Sequence, residues 1–169
     1  MRIRTASALV LIAGLLGLAA APAQAAESSA FDTITDHYEA VRSALLHDSL
    51  EGIAEHATKI ETTAQALQSE FAAERAEVPA SAAADCQELL PEIAAAARSL
   101  AAAKDLPAAR ETFGKLSQPL VRYRSMASGD RPVVVYCSMA EKAWLQPEGE
   151  IGNPYYGQSM ARCGKVVSD

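Results

Sequence analysis

The sequence predicts an all-α protein: an up-down four-helix bundle followed by a short irregular, partly β segment that carries cysteine and methionine. Three observations support this. Four stretches between residues 30 and 128 place apolar residues at alternating intervals of three and four, the spacing of one helix face. The apolar content is alanine-rich, and aromatic residues are only 5% of the chain, which favours helix over sheet. From Arg131 the helical period stops, and proline and glycine become frequent.

Residues 1–25 read as a secretory signal. Arg2 and Arg4 form its basic start, residues 8–18 (ALVLIAGLLGL) its apolar run, and Ala23-Gln24-Ala25 a small-x-small cleavage site. The run is short for a membrane span, and no Cys follows it to anchor a lipid. Cleavage near Ala25 leaves one domain over 26–169. It takes Lys plus Arg from 15 to 13 against 21 Asp plus Glu, and the net charge from −6 to −8. A chain so acidic is not a general nucleic-acid binder, because neutralising phosphates needs clustered Lys and Arg. No second apolar run approaches spanning length, so no membrane span is expected after cleavage. The signal is bacterial in style. The expected location is therefore periplasmic or secreted, where disulfides persist.

The first helix has the stripe Phe31, Ile34, Tyr38, Val41 and Leu45. Asp48-Ser49 separates it from the second and offers N-cap oxygens. The second stripe is Leu50, Ile53, Ala57, Ile60, Ala64, Leu67 and Phe71. Val78-Pro79 breaks it. Pro91 suits a first helical turn, so the third helix is expected to start near it, after a loop with a helical turn over 79–90. Its stripe, Ile93, Ala97 and Leu100, is thin and permits close packing. Asp105 caps the fourth helix, with Pro107 in its first turn and the stripe Leu106, Ala109, Phe113, Leu116, Leu120 and Tyr123. Pro119 falls inside this helix, where it removes a hydrogen bond, and Ser128-Gly129-Asp130 ends it. Short connections imply antiparallel neighbours.

The segment 132–167 opens on Pro132-Val133-Val134-Val135-Tyr136, which is β-prone. Pro147, Gly149, Gly152, Pro154, Gly157 and Gly164 then impose turns. Tyr136, Trp144, Tyr155 and Tyr156 gather here, with two of the three cysteines. Cys137-Ser138-Met139 and Met160-Ala161-Arg162-Cys163 together offer two thiolates and two thioethers. Such soft ligands select Cu(I), and by the same preference Ag(I). Zinc fits less well, because thioether is a weak zinc ligand and no His is close in sequence. The same two cysteines suit a disulfide, which would staple a segment with little core of its own at about 3–4 kcal/mol. Both readings stay open at this level, and the two states can alternate with redox conditions. Met139 and Met160 alone would more often be core filler than ligands.

The motifs Tyr136-Cys137-Ser138-Met139-Ala140, Ala143-Trp144-Leu145-Gln146, Ile151-Gly152-Asn153-Pro154-Tyr155-Tyr156-Gly157, Met160 and Cys163-Gly164 resemble a bacterial periplasmic family of formally unknown function. Its members occur alone after a signal peptide, or fused to the C-terminus of Cus-type adaptors of copper and silver efflux pumps. The stretch Ala101-Ala102-Ala103-Lys104-Asp105-Leu106-Pro107-Ala108-Ala109-Arg110-Glu111-Thr112-Phe113, with Leu116-Ser117, is similar to the family's helical signature. The resemblance implies a helical bundle with a copper-related periplasmic role. It supports Cys137, Met139, Met160 and Cys163 as the shared sulfur positions, which makes them the candidate metal ligands for Cu(I) or Ag(I), and an efflux adaptor or other envelope protein the candidate partner. Family members usually carry Pro between the first Cys and Met. Ser138 stands there in this chain and leaves that turn less stiff.

Cys86 is the odd cysteine and reads as a buried small hydrophobe. His37, His47 and His56 lie on the first two helices, and they join a metal site only if the fold brings two together. Trp144 is expected either as the aromatic plug of the irregular segment or as a cation–π cover for a bound ion. Asn153-Pro154-Tyr155-Tyr156-Gly157 reads as a turn. No His sits beside a candidate nucleophile and no Gly-rich phosphate loop occurs. Glu51 and Glu55 are spaced for a solvated face. The chain therefore reads as a binding protein and not an enzyme. The alternative is an interaction module without metal, stapled by Cys137–Cys163 and docking on an envelope partner.

Overall fold

A computed structural model describes residues 29–168; the signal segment 1–25 lies outside them. The described residues form a bundle of α1 (Ala30–Leu46), α2 (Ile53–Ser69), α3 (Ala83–Ala101) and α4 (Leu106–Met126), as the periodicity predicts. A small sheet of β1 (Val133–Cys137), β2 (Lys142–Gln146) and β3 (Lys165–Val166) follows. Short 3₁₀ turns cover Ala80–Ala82 and Gly157–Met160. No helix among the described residues is long and apolar enough to cross a membrane.

Each helix forms because one face can be buried. Phe31, Ile34, Tyr38, Val41 and Leu45 of α1 are all in the core, and Ser29 caps the helix by accepting the Asp32 N–H at 2.9 Å. Asp105 caps α4 in the same way, accepting the Ala108 N–H at 2.8 Å. The cap expected for α2 is different. Gly52, at φ +75°, occupies the N-cap position with no side-chain hydrogen bond. Ser49 accepts only the Glu51 N–H. Glycine at an N-cap sacrifices little, and Asp48 is thereby released to pair with Arg110 of α4 and to accept the Gln158 N–H at 3.2 Å. Leu50 lies before the helix and is exposed, and Phe71 lies beyond its end.

The start of α3 corrects the expectation drawn from Pro91. The helix begins at Ala83 and runs through the proline. Cys86, Leu89 and Leu90 continue the stripe of Ile93, Ala97 and Leu100 upstream, and all six are buried. Pro91 points to solvent, so the carbonyl it leaves without an N–H faces water, and burial of the opposite face outweighs the missing bond. Pro119 is likewise inside α4, but on its buried side.

Helices adjacent in sequence pack side by side, whereas α1 and α4 meet mainly through aromatic rings. Phe31 meets Tyr123 edge-on at 4.9 Å between centroids, and Tyr38 stacks on Phe113 at 4.6 Å. The sheet, in the order β2-β1-β3 and antiparallel throughout, covers this seam. Strand β2 lies on α4, and its Leu145 N–H donates to the Tyr38 hydroxyl at 3.3 Å. Covered by the bundle and by the C-terminal coil, β1 buries every residue but Tyr136. That explains its unbroken run of valines where a half-exposed strand would alternate.

Candidate functional site

The sheet brings together the two cysteines of the C-terminal segment. Cys137 ends β1 opposite Lys142 of β2. On the other side of β1, Val135 pairs with Val166 and Tyr136 with Lys165, which carries the coil before β3 back past Cys137. Cys163 lies in that coil, and its Sγ stands 2.6 Å from that of Cys137. At that distance the two sulfurs are in contact without being bonded. Cys137 is fully buried and Cys163 half-buried.

Gly164 makes the approach feasible. Its φ is +150°, and a Cβ there would stand 2.8 Å from Trp144 Cη2 and 2.9 Å from Val135 Cγ1. Trp144 is the fully buried plug of the segment, donating from Nε1 to Gln146 Oε1 at 3.0 Å and meeting Tyr155 edge-on at 5.8 Å. Gln146 also accepts the Gly152 N–H and donates to the Glu150 carbonyl. Asn153 closes the loop that holds Cys163. Its amide donates to the Cys163 carbonyl at 2.8 Å, and its Oδ1 accepts the N–H groups of Tyr155 and Tyr156. The Asn-Pro-Tyr-Tyr motif is visible in the sequence, but its role as the brace of Cys163 depends on a contact ten residues away and on the packing of the whole loop.

Both methionines are tied to the cysteine loops through their backbones. The Tyr156 hydroxyl donates to the Met139 carbonyl at 3.0 Å, and the Met160 carbonyl accepts the Cys163 N–H at 3.0 Å. Their side chains are 64% and 37% exposed, so neither fills the core. Among the described residues no group of three or more His, Cys, Asp or Glu gathers to hold a metal.

The two thiols differ electrostatically. Burial works to raise the Cys137 pKa, but hydrogen bonds from the Cys163 thiol, from the Ala140 and Met139 N–H groups and from Asn153 together lower it. Cys163 is raised, first because it bonds to Cys137 and then by burial and the neighbouring charge. Cys137 is thus the first thiolate, and Cys163 holds the proton. Chemically the pair can close to a disulfide on oxidation, or present sulfur to a soft ion when reduced.

Cys86 is buried against the bundle core, as its position suggests. Of the three histidines, His47 bonds to the Ser43 carbonyl of its own helix. His37 and His56 meet across α1 and α2 with their Nδ1 atoms 3.0 Å apart.

No curated protein and no solved structure matches the chain. A family model does match residues 34–130, which cover the helical bundle and stop before the strand that carries Cys137. These residues make up more than half of the sequence, and the chain belongs to the family described as protein of unknown function (DUF3347).

Proposed function

We propose that this chain is a periplasmic binding protein for a soft monovalent ion, Cu(I) or Ag(I), which it buffers, delivers or passes towards efflux. The observation that carries the reading is the pairing of Cys137 with Cys163 beside two exposed methionines. The Met139 side chain, 64% exposed, adds little to packing, whereas a thioether is a good ligand for a soft ion. With metal–thiolate bonds of about 2.3 Å, the length known for zinc, an ion would need the sulfurs to part from 2.6 Å. Cys163 sits on coil and not within a strand, so it is the side able to move. Met139 and Met160 would complete the ligand set. An efflux adaptor or another envelope protein is the expected partner. Titration of the reduced chain from Ala26 with Cu(I) against a chromophoric chelator tests this. One ion should be held, with binding lost in Cys137→Ser and Cys163→Ser and weakened in Met139→Leu and Met160→Leu. Unchanged competition in the cysteine variants would overturn the reading.

The second reading is a metal-free docking module stapled by a Cys137–Cys163 disulfide, favoured by the same sulfur proximity. Peptide mass mapping of the chain isolated from the periplasm separates the two. A quantitative bond with no Cu(I) uptake after reduction supports the staple alone, and two free thiols refute it.

A further inference from the structure

We propose that His37 and His56 form a second, all-nitrogen site for a divalent transition-metal ion of square-planar or octahedral preference, Cu(II) or Ni(II). The site bridges α1 and α2 and involves none of the sulfur ligands.

The geometry carries the proposal. The two Nδ1 atoms are 3.0 Å apart, with the ring planes tilted by 41°. An ion bound to both at the usual 2.0–2.1 Å sees this separation at about 94°, the angle between cis ligands of a square-planar or octahedral ion. A tetrahedral centre would spread the nitrogens to about 3.3–3.4 Å at the same bond lengths. In the metal-free protein the pair shares one proton: one Nδ1–H points at the other's lone pair. A bound ion would displace that proton once the rings turn their lone pairs towards it, and both rings then ligate as neutral imidazoles.

The charges around the pair are mixed. The Asp36 and Glu55 carboxylates act on His37 from either helix, and Lys59 opposes them. Burial, followed by the neighbouring His56, lowers the His37 pKa, so that ring competes weakly for protons near neutral pH. Both rings are half-buried, which holds them in place and leaves an approach for the ion. Water fills the remaining coordination positions, because no third His, Cys, Asp or Glu among the described residues completes a cage. Binding by two imidazoles alone is modest, suited to an ion that exchanges. The helical stretch that carries both histidines lies within the family-matched residues.

The test uses the chain from Ala26, kept oxidised so that the cysteine pair is closed, with Cu(II) as probe. Amide NMR signals should broaden first around His37 and His56, and the electron paramagnetic resonance spectrum should show coupling to imidazole nitrogen. His37→Asn and His56→Asn should each weaken binding at least about tenfold, with circular dichroism confirming that the variants fold, while His47→Asn binds as the parent does. Broadening centred on His47, or on the C-terminal segment, would overturn the proposal. So would unchanged affinity in the folded His37→Asn variant. The Cu(I) titration of the reduced chain is a separate experiment, and its failure leaves this one standing.

Discussion

Tyr38 joins the bundle to the sheet at a single hydroxyl. It lies 2.6 Å from Ser117 Oγ and accepts the outward N–H of Leu145 on edge strand β2. Tyr38→Phe keeps the ring stacked on Phe113 but leaves that buried N–H without its acceptor. The expected loss is about 1–3 kcal/mol, read from the urea midpoint, and an unchanged midpoint would show that water replaces the hydroxyl. Cys86 gives a second residue-level prediction. Its thiol is fully buried, and burial raises its pKa. Iodoacetamide should leave it unmodified in the folded protein and alkylate it once denaturant is added, as followed by peptide mass mapping. Labelling of native Cys86 at the rate of an open thiol would contradict the packing described for α3.

At the scale of the element, two positions show how backbone limits act. Pro91 interrupts the hydrogen-bond ladder of α3 on its exposed side, so Pro91→Ala should restore a partner to the Gln87 carbonyl without disturbing the core. Stability should rise by about 1–3 kcal/mol; a fall would mean that the proline's geometry is needed to aim Cys86 and Leu90. Gly164 acts in the opposite sense. Gly164→Ala would drive a methyl group into Trp144 and Val135 while straining a φ of +150°. The expected cost is about 1–3 kcal/mol. Cys163 should be displaced as well, so disulfide closure should slow and Trp144 fluorescence should change. Closure at the parental rate would show that the coil before β3 adapts without it.

For the whole molecule, the histidine contact makes stability depend on pH. The folded-state pKa of His37 lies below its ordinary value near 6.5, first through burial and then through His56. The unfolded chain therefore binds more protons in that window, and stability rises with pH up to about 6.5 and is lost as pH falls below it. Urea unfolding at about pH 7.5 and about pH 5.5 should show the drop, and His37→Gln should flatten it. Much of this architecture is legible in the sequence. The stripes, the Asp105 cap and the β-prone valines each report a choice made within a few residues, because helix and strand periods express which face is to be buried, whereas α2 ends at Ser69, well before the break expected at Val78-Pro79. Pro91 misleads because its local preference for a first turn competes with a stripe that extends upstream to Cys86, and burial of that stripe wins. The cysteine and methionine spacing names candidate ligands, but not their distance. Only the tertiary structure decides that Cys137 at the end of β1 meets Cys163 in the coil before β3, that His37 and His56 face each other between two helices, and that Asn153 braces the cysteine loop. Those contacts depend on how elements far apart in the chain are placed against one another, and their relative placement is set by packing of the shared core, which no short window of sequence contains.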